Sequence, residues 1–208
     1  MASHNFGYFT ASTIGPFLTG KSDKLIAGGI QAAKEIAIER SGLVDLSQDI
    51  NFSGSAFTEW GNLYEIEAIE AYEAAMMVTV ADQQKGALNG WLACTPDGYV
   101  GADGLVEIKC PARCKNHWAN LTRAAWLDDY RDQCQFQMLV TGRKWVDLVS
   151  FDPRFDEPLQ LAIVRIEADP DWQARTLNRI EQAEAIIAEE LNLIQSVQKR
   201  IEAGELTA

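Results

Sequence analysis

The stretch from Thr95 to Pro111 constrains the fold of this 208-residue chain more than any other. It reads Thr95-Pro96-Asp97-Gly98-Tyr99-Val100, then Gly101-Ala102-Asp103, then Gly104-Leu105-Val106-Glu107-Ile108-Lys109-Cys110-Pro111. Two short apolar, alternating runs flank a Gly/Asp cluster, which is a hairpin signal. Two registers are open. A two-residue turn at Asp103-Gly104 pairs Glu107 with Val100 and Lys109 with Gly98, and leaves Asp97 on the wrong face. A three-residue loop, Ala102-Asp103-Gly104, puts Gly104 in the left-handed position, Asp97 opposite Lys109 and Tyr99 opposite Glu107. Side chains alternate along a strand. The second register therefore gathers Asp97, Glu107 and Lys109 on one face. It sends Ile108 into the core and keeps the Ile108 carbonyl near the site.

That face has a definite chemistry. Carboxylates hold hard divalent cations through oxygen. Such a cation stabilises charge on a phosphate and acidifies a bound water. A lysine beside it positions or deprotonates that water. The trio is thus a minimal set for metal-assisted hydrolysis of a phosphodiester. Taken alone, the same residues also fit a surface hairpin with a cross-strand salt bridge.

The rest of the chain supplies a layered frame. Ser22 is a candidate cap for a helix from about Lys24 to Arg40, ended by Ser41-Gly42. Residues 57–77 read as a second helix, 78–81 and 91–94 as short strands, and 129–141 as a helix leading into strands Trp145–Phe151 and Leu159–Ile166. Asp169-Pro170-Asp171 starts a long C-terminal helix to about Ala203. The expected class is α/β (α+β), a central mixed sheet flanked by helices, in a single domain over residues 1–208. No apolar run approaches the ~20 residues of a membrane span, and no secretory leader pattern is present, so a cytoplasmic protein is expected.

Charge and cysteine content narrow the field. The net charge of −12 is unusual for a protein that handles nucleic acid. It is unevenly spread: residues 105–145 carry seven basic against four acidic side chains, whereas residues 55–85 carry six acids and one base. An acidic metal centre beside a basic strip can hold DNA locally. Cys94, Cys110, Cys114 and Cys134 form no Cys-x-x-Cys pair, and His4 and His117 are the only histidines, which argues against zinc. The cysteines are read as reduced thiols, Cys94 and Cys110 as small hydrophobes.

Asp97 … Glu107-Ile108-Lys109 resembles the core motif of the PD-(D/E)XK nuclease superfamily. Four stretches, in order, resemble its lambda exonuclease-like viral recombinase family: Thr10-Ala11-Ser12; Trp60-Gly61-Asn62-Leu63-Tyr64-Glu65; Leu105 to Pro111; and Asp132-Gln133-Cys134-Gln135-Phe136-Gln137-Met138 onward to Gly142. The resemblance implies a restriction endonuclease-like core. Asp97, Glu107 and the Ile108 carbonyl would ligate Mg2+, with Mn2+ as a substitute, and Lys109 would orient or activate water. Glu65 corresponds to the family's helical acid near the metals; read by itself, it is a carboxylate beside small and apolar neighbours that wants a partner or a metal. Glu67, Glu70 and Glu73 read as a solvated face. Gln133 matches the glutamine that contacts the active site, with Gln135 as a second candidate for DNA contact. Ser12 and Thr95 match hydroxyls that bind the terminal phosphate; otherwise they read as an N-cap and a turn residue. One departure stands out: Asn5 occupies the position of an arginine that recognises a 5′ phosphate, and amide chemistry cannot supply a charged fork. Lys21, Lys24 and Arg113 are candidates to replace it.

The implied activity is a Mg2+-dependent 5′→3′ double-stranded DNA exonuclease of phage or prophage recombination, working by two metals. It would release mononucleotides and leave a 3′ single-stranded overhang for a single-strand annealing protein. The family implies a homotrimer. Two other readings are a PD-(D/E)XK endonuclease, which would cut closed circles, and a non-catalytic module that binds DNA ends.

Overall fold

The alternating run Gly104-Leu105-Val106-Glu107-Ile108-Lys109 forms strand β6 (Gly104–Lys109) at the centre of a computed structural model of the chain. The structure describes residues 6–20, 23–43, 56–123 and 126–206. The chain divides into two units, residues 52–169 and residues 1–51 together with 170–208.

In the unit of residues 52–169, five strands among the described residues make one mixed sheet. Its order is β2 (Val80–Ala81), β5 (Gly98–Val100), β6, β7 (Trp145–Phe151) and β8 (Leu161–Glu167). β6 and β7 run parallel and the other neighbours antiparallel. A parallel pair needs a long crossover, supplied here by α4 (Cys114–Arg123) and α5 (Trp126–Thr141). Helix α3 (Ala56–Met76) packs Ala68, Ile69 and Tyr72 against Val106, Ile108, Val149 and Phe151 on one face of the sheet. On the other face Trp126, Cys134 and Met138 of α5 pack on Leu105, Val146 and Leu148. Each fully buried Val, Leu, Ile, Phe or Met among them contributes about 1.5–3 kcal/mol. The expected mixed sheet flanked by helices is what forms. β3 (Ala87–Asn89) and β4 (Leu92–Cys94) pair as a small antiparallel hairpin, of which only β4 is legible in the sequence.

The hairpin register corrects the sequence reading. The pairs are Gly98↔Val106, Tyr99↔Leu105 and Val100↔Gly104, so the loop is Gly101-Ala102-Asp103. Gly101, with φ of +55°, takes the left-handed position assigned above to Gly104. Gly104 instead lies inside the strand, where an added Cβ would sit 2.1 Å from Trp145 Cζ2 in β7. The indole leaves room for no side chain at 104. Continuing this register sets Asp97 opposite Glu107, not Lys109. The shift from the expected pairing is two residues, so every side chain keeps its face.

The other unit holds β1 (Phe9–Thr10), α1 (Gly15–Leu18), α2 (Ala27–Ser41) and α6 (Pro170–Glu202). α2 begins later than expected, after Ile26, and ends at Gly42 with φ of +69°. Ser22, the expected cap, lies outside the described residues. Arg40 forks onto Glu184 with bonds of 2.7 and 2.8 Å, tying α2 to α6. The buried Arg179 donates to the carbonyls of Phe17 and Gly20. Among the described residues no helix is long and apolar enough to cross a membrane.

Candidate active site

β6 presents Glu107 and Lys109 toward α5, in the same row as Leu105. Glu107 interrupts an apolar layer and is only 3% exposed. A carboxylate so placed needs donors, and it has three. Lys109 Nζ and Gln133 Nε2 both donate to Oε1 at 2.6 Å, and Gln137 Nε2 donates to Oε2 at 2.6 Å. Lys109 Nζ also donates to Gln133 Oε1 at 3.3 Å and lies 4.6 Å from the centre of the Tyr130 ring. Across the hairpin, Asp97 Oδ2 accepts the Ile108 N–H at 2.6 Å. Ile108 itself points into the α3 layer, as its alternation requires.

The electrostatics follow from this crowding. Burial, and then the charge of Glu107, push the Asp97 carboxyl well above the usual carboxylate range; the Ile108 N–H pulls the other way. Burial opposes the charge on Lys109, but the adjacent Glu107 carboxylate overrides it and holds the ammonium above its ordinary value. Two carboxylates therefore face one another with one lysine between solvent and core.

Glu65 reaches the same cleft from α3, and its charge is felt by Asp97. Its Oε1 accepts a bond from Gln84 Nε2, while the Gln84 backbone N–H donates to the Asp97 carbonyl at 3.2 Å. Gln84 holds a left-handed φ of +54°, a strained conformation for a non-glycine, and links Glu65 to the strand of Asp97. The cleft encloses about 950 Å3 and is lined by Glu65, Asp97, Glu107, Lys109, Arg113 and Tyr130 among others. Its rim at Pro111 and Ala112 is clamped by Arg154, which donates to both carbonyls, forks onto the buried Asp152 and lies 4.4 Å from the Trp60 ring centre.

The residues singled out in the sequence fare unequally. Asp97, Glu107, Lys109, Gln133, Glu65 and the Ile108 backbone come together. Thr95 is exposed, two residues before Asp97 in the same segment. Ser12 is exposed in the turn after β1, its hydroxyl 3.2 Å from that of Thr10. Gln135 is corrected: it is fully buried, donates to the Glu167 carbonyl at 2.7 Å and accepts the Asp169 N–H at 2.9 Å, so it fastens a chain corner rather than facing DNA. Glu67 and Glu70 are solvated, but Glu73 is not free, since it accepts the Val80 N–H at 2.6 Å. Asn5 and Lys21 lie outside the described residues. Sequence reasoning missed Gln137 and Gln84. The i, i+4 spacing of Gln133 and Gln137 was the available signal for the first; nothing local announces the second.

Metal fit can be judged from the donors. Among the described residues no group of three or more His, Cys, Asp or Glu side chains is arranged to hold a metal. Magnesium, however, keeps several waters and is bound through one or two carboxylates. Asp97, Glu107 and the Ile108 carbonyl, all oxygen donors, suit such an ion. His117 is spent elsewhere, bonded to Ser150 Oγ and the Leu159 carbonyl.

No curated protein sequence matches the chain. Among solved structures, an alkaline exonuclease (LHK-Exo) from Laribacter hongkongensis superposes with a TM-score of 0.78 at 26% identity, covering 95% of this chain and 96% of that one. LHK-Exo in complex with dAMP gives 0.74 at 27% identity over 98% and 96% of the two chains. A phage related exonuclease from Haemophilus somnus 129PT shares the fold, with a TM-score of 0.71 at 18% identity over 91% and 96%. The family model for the YqaJ-like viral recombinase domain matches residues 7–144, the segment that carries Asp97, Glu107, Lys109 and the α5 glutamines, and the chain belongs to that family.

Proposed function

We propose that the chain is a magnesium-dependent exonuclease that degrades one strand of duplex DNA from its 5′ end. It would release mononucleotides and leave a 3′ overhang for a single-strand annealing protein. The observation that carries this reading is the convergence of Asp97, Glu107 and Lys109 on one cleft, with two carboxylates opposed across a hairpin. The likeness to LHK-Exo supports it, and the dAMP complex of that protein suits a mononucleotide product. A homotrimer, implied by the resemblance, belongs to the same reading and is checked by solution mass.

Asp97, Glu107 and the Ile108 carbonyl would hold Mg2+, and Mn2+ would substitute. When bound, the ions supply charge neutralisation at phosphorus and an acidified water. Lys109, held as an ammonium by Glu107 and Gln133, would donate a hydrogen bond that orients the attacking water. Glu65, tethered by Gln84, adds a third acid beside Asp97. Thr95 would serve as a hydroxyl donor to the terminal phosphate; the resemblance assigns the same role to Ser12.

The test is digestion of end-labelled linear duplex, with and without a 5′ phosphate, beside a closed circle. The reading expects Mg2+-dependent release of mononucleotides from the 5′-labelled end and an intact circle. Lys109→Ala and Asp97→Ala should each reduce the rate by about 10²–10⁴-fold. Cutting of the circle would favour an endonuclease, and binding of ends without product would favour a non-catalytic module.

A further inference from the structure

We infer that Gln137 is a positioning residue: it fixes which oxygen of Glu107 is offered to the cleft, and so sets how tightly the protein takes up a divalent cation. The inference rests on the metal reading above.

Three glutamines of α5 lie at alternate positions and meet different fates. Gln135 has both ends of its amide satisfied by backbone groups, the Glu167 carbonyl and the Asp169 N–H. It is a strap. Gln137 is equally buried, at 1% exposure, yet only half satisfied. Its Nε2 donates to Glu107 Oε2 at 2.6 Å, while its Oε1 has no hydrogen-bond partner among the described residues. A buried amide oxygen left without a donor is unfavourable and persists only where something else dictates the orientation of the amide. Here that something is Glu107. Flipping the amide would set its oxygen against a carboxylate oxygen.

The two prongs then divide the labour. Gln137 does not line the cleft, whereas Glu107 and Lys109 do. Gln137 ties Oε2 on the protein side. Lys109 and Gln133, one helical turn before Gln137, meet at Oε1. Glu107 cannot turn about its last bond without losing a short bond to Gln137. Groups that hold a metal ligand in this way typically change metal affinity by about 10–100-fold when removed.

The experiment uses the full chain without DNA, and reads Mn2+ binding by electron paramagnetic resonance together with the melting temperature. Gln137→Met keeps the volume and removes the donor; Gln137→Asn keeps an amide that is too short to reach, and stands in if the first variant fails to fold. Gln135→Met is the control for loss of a buried glutamine. The inference expects both Gln137 variants to bind Mn2+ about tenfold more weakly or worse. It expects Gln135→Met to lower the melting temperature and leave Mn2+ affinity alone. Wild-type affinity in Gln137→Met, or an equal loss in Gln135→Met, overturns it. Wild-type protein that binds no Mn2+, when Glu107→Gln binds none either, overturns the metal reading itself.

Discussion

Gly104→Ala should damage both the fold and the site through one contact. A Cβ at position 104 would stand 2.1 Å from Trp145 Cζ2 and 2.2 Å from Cη2. Carbon atoms prefer about 3.5–4.0 Å, so strand or indole must give way by about 1.5 Å. The indole is not free to move. Arg165 lies 3.7 Å from its ring centre and forks onto Asp147, with both bonds at 2.8 Å, and Asp147 also accepts the Tyr72 hydroxyl at 2.7 Å. Overpacking by one methylene costs about 1–3 kcal/mol, and a rigid ring against backbone belongs at the upper end. A loss of about 3 kcal/mol corresponds to a fall in melting temperature of roughly 6–12 °C for a chain of this size. Circular dichroism melts in EDTA measure it. The displaced strand carries Glu107 and Lys109, so nuclease rate should fall even well below the transition. Trp145→Leu should recover most of the loss in the double variant, because the clash is with the ring. A melting temperature within about 2 °C of wild type, or no recovery with Trp145→Leu, would refute the observed register and the reasoning with it.

Other perturbations give equally definite outcomes. Burial and the Glu107 charge raise the pKa of Asp97, so the folded chain holds that proton more tightly than the unfolded one; metal-free stability is then fullest below the ordinary carboxylate pKa and is lost as pH rises through the raised value. Asp97→Asn should therefore raise the metal-free melting temperature at neutral pH while abolishing nuclease activity, and a lower melting temperature contradicts the assignment. Arg154→Met leaves the fully buried Asp152 without its forked partner; with the arginine part-exposed, about 2 kcal/mol should be lost in urea unfolding, and an unchanged midpoint argues against the clamp. Burial first, then the charges of Glu65 and Asp97, push the Cys110 thiol up to about 12, whereas Cys114 is exposed. Iodoacetamide at neutral pH should label Cys114 well before Cys110, as read by mass spectrometry.

The parts of the fold legible in the sequence are those set by local period. The alternation from Gly104 to Lys109 gives β6, and the start signal at Pro170 with its apolar spacing gives α6, which ends at Glu202, one residue before the expected end. Helix α4 escapes the sequence reading although Cys114, Trp118 and Leu121 stand at helical spacing; only His117 of its ten residues is buried. The hairpin is instructive because its face is right and its loop is wrong. Face depends on parity, which the sequence carries in its alternation. The loop depends on Trp145 lying over Gly104, a contact between residues far apart in the chain. Either glycine suits a turn by local chemistry, and only the neighbouring strand decides between them.

The same distinction governs the site. Glu107 announces itself as a charge inside an apolar strand, and a carboxylate 3% exposed is tenable only with donors on both oxygens. The strand supplies one of them, Lys109, two residues on and therefore on the same face. The others must come from whatever packs on that face, and helical period limits them to residues three or four apart. Gln133 and Gln137 meet that condition and Gln135 does not, so the period of α5, rather than resemblance, is the criterion that separates site from strap. Glu65 lacks such a criterion. Its partner Gln84 sits in a left-handed turn whose residues carry no glycine signal, and its place beside Asp97 depends on how α3 lies across the face of the sheet, which no short-range pattern encodes.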